Sequence, residues 1–470
     1  MYSLADLLDA LTGRHFDAFR MLISDAAIDS RQVTPSSLFV ALPGERADGH
    51  DYLQKAFENG ALAAIVQKDV SSDFRMVDLR QPLPEDFRLP KAPFCLRVDD
   101  SLKALQQAAA HWRNKLSVRV IGITGSVGKS TTKELTAEVL SRRFSVIKNP
   151  GNYNNEIGLP LTMLRITRAT EIAVLEMGFF VPGEIKFLCD LAHPEIGVVT
   201  NIGTVHAERA GSQETIARGK AELVENLPAN GTAILNMDDP WVRWMADRSN
   251  APVFRYGIES DADITVSHIV GRGLSGIEFT LNYQGQSRRL QVPILGKHSV
   301  LTVLRAAAVG FATGMTWDEV IDGLQSSTSQ LRLTAIHTRR GALVLDDTYN
   351  ASPESTVAAL DLLSEIPGRH VAVLGDMLEL GQYEVAGHRW VGEKAASVAK
   401  QLITVGQRAR IIADAARESG MPITSITCVE KSADAAEILR TQLDERDVVL
   451  IKGSHGMRMD RIITEIEATI

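Results

Sequence analysis

Cysteine is scarce in this chain of 470 residues: Cys95, Cys189 and Cys428 lie far apart and form no Cys-x-x-Cys or Cys/His ligand spacing. That spacing argues against a disulfide framework, and reduced thiols in a cytoplasmic protein are the expectation. Basic charge is not in excess either. With 50 Lys and Arg against 58 Asp and Glu, the formal net charge is -8. This balance argues against a broad basic face that binds nucleic acid by neutralising phosphates, and leaves local sites for anionic substrates open. No apolar run approaches the roughly 18 residues of a membrane-spanning helix. The start, "MYSLADLLDALTG", lacks the basic and apolar regions of a signal peptide, so a soluble, non-exported protein is expected. Internal repeats and low-complexity tracts are also missing.

What is present is enough for several cores. A chain of 470 residues with 45% hydrophobic residues predicts two to four domains. Its texture changes near residues 99 and 330. Residues 1–98 hold short strand-like runs, "SLFVALPG" and "LAAIVQ", with the Pro-rich loop or linker "RQPLPEDFRLPKAPF", and read as a small α/β domain. From "SLKALQQAAAHWRNKL" onward, β-branched runs such as "RVIGITG", "EIAVLEMG", "IGVVTNIG" and "TAILNMDD" alternate with helical patterns. That alternation predicts a mostly parallel sheet covered on both faces over residues 99–330. Residues 262–295 alternate with period two and carry turn residues, which predicts an antiparallel patch before a helix near His298. Residues 331–470 repeat the β and α alternation with "GALVLDD", "VAVLGDM", "QLITVG" and "DVVLIKGS", and predict a third, Rossmann-like α/β domain.

The stretch "VIGITGSVGKSTTKELTAEVL", residues 120–140, carries the clearest chemistry. An apolar strand runs into Gly125, Ser126, Val127 and Gly128, and Lys129, Ser130 and Thr131 open a helix. Glycines let backbone N–H groups approach phosphate oxygens, the helix points its positive end at them, Lys129 offsets charge, and Ser130 can ligate Mg²⁺. The motif is the shorter form Gly-x-x-Gly-Lys-Ser, with Ile123 where the full P-loop has glycine. ATP is the expected ligand. A Gly-rich turn in a Rossmann-like domain is the plainer alternative, and it leaves Lys129 unexplained.

Seven ordered motifs carry a wider likeness. "GITGSVGKSTTKE" is followed by "NYNNEIGLP" (152–160), "EMG" (176–178), "TNIGTVHAE" (200–208), "DDTYNASPES" (346–355), "LGDMLELG" (374–381) and "IKGS" (451–454). Together with the N-terminal "DSRQVTPSSLFVALPGERADGHDYL" (29–53), the sequence resembles the Mur ligase family over nearly its whole length. The resemblance implies amide-bond formation: the γ-phosphoryl of ATP passes to a substrate carboxylate, and an amine displaces phosphate from the acyl phosphate. Positioning and charge neutralisation are then the protein's main tasks.

Residue roles follow from the same resemblance. Lys129 and Ser130 would serve the phosphates and a first Mg²⁺. Glu176 and His206 would bind a second metal, and both fall near the carboxyl ends of strands, where open α/β sheets bind ligands. Lys220, in "ARGKAELVEN", matches a lysine that related ligases carbamylate; on an amphipathic helix a lone Lys otherwise reads as a solvent-facing charge. Arg332 and Asp347 would meet the nucleotide, with Tyr349 and Asn350 in the adjoining loop; the plainer reading makes them linker and turn residues. A nucleotide gripped by both the central and the third domain implies closure between them.

Ser30, Arg31, Arg46, Asp48 and His50 would seat a uridine diphosphate group, unless "DGHD" is only a turn before a helix. Asn152, Asn154 and Asn155 supply uncharged amides for sugar or peptide groups, or for orienting the phosphate region. One departure concerns adenine. Family members show His-Asn-x-x-Asn where this chain has His298, Ser299 and Thr302.

The amine is expected to be D-alanyl-D-alanine and its partner UDP-N-acetylmuramoyl-tripeptide, because the "DNPR" of the diamino-acid-adding ligases is absent and "LGDMLELG" stands in its place. The diamino-acid-adding step and a P-loop regulatory ATPase are the other readings; the N-terminal segment argues against a folylpolyglutamate-type ligase. A monomer is the family expectation.

Overall fold

The structure is a computed structural model that describes residues 2–44, 47–204, 207–327 and 333–468. Three sheets follow one another along the chain, as the alternation of strand and helix patterns predicts.

The first sheet contains β1 (Ala26–Ala27), β2 (Leu38–Val40), β3 (Ala63–Val66), β4 (Met76–Asp78) and β5 (Phe94–Arg97), in the order β1-β2-β3-β5-β4 and parallel throughout. The Pro-rich stretch lies between β4 and β5. It is therefore a loop within this sheet rather than a tether to the next one.

The central sheet has nine strands: β6 (Arg119–Thr124), β7 (Val146–Lys148), β8 (Ile172–Glu176), β9 (Ile196–Val199), β10 (Thr232–Asn236), β11 (Val253–Gly257), β12 (Ile264–Gly271), β13 (Ile277–Tyr283) and β14 (Gln286–Val292). Their order is β14-β13-β12-β11-β10-β9-β6-β8-β7. Strands β6 to β12 run parallel, and β13 and β14 add the antiparallel patch. Val120–Thr124 and all of β8 and β9 are buried, because helices cover both faces and every side chain of the inner strands must be excluded from water.

The last sheet holds β15 (Thr334–His337), β16 (Leu343–Asp347), β17 (Arg369–Gly375), β18 (Gln401–Val405), β19 (Ile426–Val429) and β20 (Asp447–Lys452), ordered β15-β16-β20-β17-β18-β19. All pairs are parallel except β15 with β16.

The helix Ser101–Asn114 joins the first two sheets. Its N-terminal Ser101 N–H donates to Gln67 Oε1 at 2.9 Å, and the Trp112 indole, 1% exposed, donates to the Ile166 carbonyl at 2.9 Å. One apolar cluster runs from Leu4, Leu38 and Ile65 through Trp112 to Leu175 and Leu223. The opposite face of the central sheet is closed by the helices Lys129–Leu140, Val300–Ala312 and Trp317–Gln325. The third sheet builds two clusters of its own. No helix among the described residues is long and apolar enough to cross a membrane.

Candidate active site

The phosphate-binding turn forms where β6 ends and the helix Lys129–Leu140 begins. Gly125 has φ 141° and Gly128 φ 83°, conformations that glycine adopts without a Cβ penalty. Space is as restrictive as conformation: a Cβ on Gly125 would lie 1.8 Å from Thr200 Oγ1. The turn is pinned from β9. Thr200 Oγ1 donates to the Val127 carbonyl at 2.7 Å, and Asn201 accepts from Val127 N–H at 2.9 Å and donates to its carbonyl at 3.1 Å. Lys129 Nζ donates to the Gly125 and Ser126 carbonyls at 2.9 and 3.2 Å. Ser126 Oγ is buried without a hydrogen-bond partner, and it lines the cleft with a donor ready for an incoming acceptor.

Sequence-predicted residues converge here. Ser130 Oγ donates to Glu176 Oε2 at 2.5 Å, and Glu176, 1% exposed, accepts on Oε1 from Asn154 Nδ2 at 2.8 Å. Asn149 fixes the strand end by exchanging hydrogen bonds with the Glu176 backbone at 2.9 and 3.1 Å, and Lys133 Nζ holds the Asn149 carbonyl at 2.6 Å. A carboxylate at the end of β8 and a hydroxyl on the first turn of the helix that follows β6 make an oxygen-rich pair suited to a hard cation. Asn154 thus orients a carboxylate. Asn155 accepts from Ile157 and Gly158 N–H at 3.3 and 2.9 Å and caps the helix Gly158–Leu164, while Asn152 is exposed.

Lys220 is no solvent-facing charge. It is completely buried, donates to the Gly125 carbonyl at 3.0 Å and lies 4.7 Å from the centre of the Phe179 ring. Burial holds its ammonium well below the ordinary lysine range; Lys129 acts in the same direction, and Glu176 and Glu184 oppose. The neutral amine is the form that such an environment favours.

A cavity of about 690 Å³ lies between the central and third sheets, over the turn. The helix Val300–Ala312 and the 3₁₀ turn before it supply His298, Ser299, Thr302 and Arg305, and the third sheet supplies Asp347, Asn350 and Lys452. His298 is open to the cleft's mouth, yet protein surrounds it on the other sides. That enclosure keeps its imidazole below the usual histidine range, with Asp347 opposing and Lys452 reinforcing. At the end of β20, the buried Lys452 donates to Asp347 Oδ2 at 2.6 Å and to the Asn350 carbonyl at 2.8 Å. Tyr349 is 40% exposed and packs toward His455. From the third sheet, Glu354 reaches across to Gly203, to whose added Cβ its Oε1 would stand at 3.3 Å.

The first sheet presents Arg31, exposed and paired with Asp29 at 2.6 Å. Ser30 is buried, and its carbonyl accepts from Asn59 at 2.8 Å. Asp48 caps the turn Gly49–Tyr52, accepting from His50 N–H at 3.0 Å and from the His50 ring at 2.6 Å, and it pairs with Lys68. Because His50 Nε2 accepts from Gln67 N–H at 3.0 Å, the ring proton sits on Nδ1 and points at Asp48. Both residues build the turn. Tyr153 Oη, 3.4 Å from Gln32 Oε1, links this region to the asparagine-rich loop. Arg46, His206 and Arg332 lie outside the described residues.

Asn201, Lys452 and Arg305 were not singled out from the residues. Asn201 and Lys452 stand in quoted motifs at strand carboxyl ends, which is the available signal. Arg305 sits in an apolar helical run, where its charge is itself the signal.

Known proteins resemble the chain along nearly its whole length. Residues 23–113 match the model of the Mur ligase family catalytic domain, 123–310 the Mur ligase middle domain, and 331–455 the Mur ligase glutamate ligase domain. The UDP-N-acetylmuramoyl-tripeptide–D-alanyl-D-alanine ligase of Bacillus subtilis is 34% identical over 449 residues, 95% of this chain and 93% of that protein. A crystal structure of MurF from Acinetobacter baumannii superposes with TM-score 0.83 at 27% identity, covering 99% of this chain and 98% of that one. MurF ligase from Thermotoga maritima in complex with ADP gives TM-score 0.79 at 28% identity, covering 98% of both chains.

Proposed function

The chain belongs to the Mur ligase family, and from that premise and the cleft's geometry we infer that it is an ATP-dependent, ADP-forming ligase. It adds D-alanyl-D-alanine to UDP-N-acetylmuramoyl-tripeptide, giving the pentapeptide precursor of peptidoglycan. The observation that carries the reading is a phosphate-binding turn whose Ser130 meets Glu176 at 2.5 Å, in a chain that aligns end to end with D-alanyl-D-alanine ligases.

The chemistry follows from the leaving groups. A carboxylate does not expel oxide, so one of its oxygens first attacks the γ-phosphorus of ATP and ADP departs. The dipeptide amine then attacks the acyl carbon, the C–O bond to phosphate breaks, and the amine gives up a proton. Lys129 and the backbone N–H groups of residues 128–131, at the start of the helix, would hold the phosphates. Ser130 and Glu176 would hold Mg²⁺, with His206 and a carbamylated Lys220 completing the set; Mg²⁺ supplies neutralisation of the charge shared by phosphates and carboxylate. The Ser130–Glu176 oxygen pair and the buried amine of Lys220 support that assignment. Asp347 and Asn350, tied to Lys452, would meet the nucleotide from the third sheet together with Arg332. Arg31, exposed beside the asparagine-rich loop, would face the uridine diphosphate with Arg46. A cytoplasmic monomer is proposed, consistent with free thiols and with the absence of a membrane-crossing helix among the described residues.

Oxygen-18 placed in the terminal carboxylate of the tripeptide tests the reaction. The label must appear in inorganic phosphate, and phosphate release must require both the UDP-linked peptide and the dipeptide. Release without the dipeptide would mark a regulatory ATPase, and a product mass carrying a diamino acid would mark the preceding step.

A further inference from the structure

Arg305 stands in the helix Val300–Ala312, 4% exposed. Its Nε donates to the Leu301 carbonyl at 2.9 Å and its Nη2 to Thr302 Oγ1 at 3.1 Å. The guanidinium also lies against the Tyr256 hydroxyl, which itself donates to the Val199 and Thr200 carbonyls at 3.3 and 3.2 Å. Every one of these partners is neutral. Nη1 is buried and has no hydrogen-bond partner. A Cβ placed on Gly128 would come within 3.4 Å of it, so the fork abuts the phosphate-binding turn, and Arg305 lines the same cavity as Lys129, Ser130 and Thr131.

A guanidinium withdrawn from water with no counter-charge is costly, and a donor left over from its hydrogen-bond set adds to that cost. An anion arriving at the helix N-terminus beside it would relieve both. The two hydroxyls that replace the family's asparagines do not offer that help. Ser299 Oγ donates back to the Leu295 carbonyl at 2.7 Å, and Thr302 Oγ1, which accepts from Nη2, is neutral and brings no counter-charge. We propose that Arg305 is a nucleotide-binding residue: Nη1 donates to a phosphate oxygen of the nucleoside di- or triphosphate seated on residues 125–131, and Thr302 holds the fork in that orientation. The proposal rests on the ATP-dependent reading above and adds to it a donor from the segment where this sequence departs from its family.

Binding of ADP, AMP and adenosine to the full-length chain, measured by calorimetry, tests it. Arg305→Gln is expected to weaken ADP by about tenfold or more, the loss of a charge-assisted hydrogen bond, while adenosine changes less than about twofold. In turnover the KM for ATP rises by the same factor and kcat stays within a few-fold. The melting temperature without nucleotide is retained, and the stabilisation by saturating ADP shrinks. Should Arg305→Gln not fold, Thr302→Val, which removes the acceptor for Nη2, carries the test with a smaller loss and the same preference for ADP over adenosine. Unchanged ADP affinity in the folded variant overturns the proposal, as does equal weakening of ADP and adenosine, which would put Arg305 at the base or in the scaffold. Failure of the unaltered chain to bind ADP would instead overturn the ATP-dependent reading itself.

Discussion

Ser130 and Glu176 come from segments 46 residues apart, yet the hydroxyl of one donates to the carboxylate of the other at 2.5 Å. Each is fixed by its own element: Ser130 by the first turn of the helix Lys129–Leu140, Glu176 by the end of β8 and by Asn154. A preset oxygen pair is worth most for charge that develops at the phosphates. Ser130→Ala and Glu176→Gln should each lower kcat about 100-fold, raise the Mg²⁺ concentration needed for half-maximal rate, and leave the far-ultraviolet circular dichroism unchanged. A full rate at ordinary Mg²⁺ would remove the pair from the mechanism.

For Lys220, burial that favours the neutral amine also favours its addition to carbon dioxide, which needs the free lone pair and yields a carbamate and a proton. Lys220→Ala should lose most activity and regain part of it with added acetate or formate, a carboxylate entering the vacated space. Undiminished activity in the variant would end the carbamate reading.

Thiol reactivity divides by burial. Burial pushes the Cys95 thiol up to about 12, and it raises Cys189 as well, with Asp190 and Glu222 adding to the effect; Cys428 is exposed. Since the thiolate is the reacting form, a chromogenic disulfide at mildly alkaline pH should titrate one thiol per folded chain, lost in Cys428→Ser, and all three cysteines in denaturant. Rapid labelling of two or more in the folded chain would contradict the burial of Cys95 and Cys189.

His388 sets an acid limit on the third sheet. Its Nε2 accepts from Met377 N–H at 3.1 Å while Nδ1 donates to the Glu384 carbonyl at 2.7 Å, so the ring is neutral and holds the loop "LGDMLELG". Burial lowers its pKa from the usual 6.5, against Glu384 and Asp376 and with Arg408. The unfolded chain therefore binds the proton first, and the contribution of His388 to stability, complete above pH 6.5, is lost as the pH falls toward the folded-state pKa. Melting temperatures from pH 7.5 to 5 should fall less steeply in His388→Gln than in the unaltered chain, and parallel curves would refute this.

Much of this site was legible because its chemistry is contiguous or lies at strand ends. The turn at 125–130 announces itself through glycine spacing and a lysine no scaffold needs, and Glu176 through its place at the end of an apolar run. Lys220 was harder: the pattern that reads as a solvent-facing helix also sets Ile216, Lys220 and Val224 four residues apart, on the face that is buried. Asp48 and His50 show the converse. They form a turn, with Gln67 as a partner that sequence proximity does not reveal. Arg305 depends on Tyr256 and Gly128, distant in the chain, so its unpartnered nitrogen is visible only in three dimensions.

The helix Ser101–Asn114, sunk into a core shared by the first two sheets, has a thermodynamic consequence. Two sheets that bury one continuous apolar cluster cannot lose their order separately without exposing it, whereas the third sheet builds two clusters of its own, with only Leu295 and Tyr383, among the described residues, packing across from one part to the other. The molecule is thus three architectural parts but two cooperative blocks.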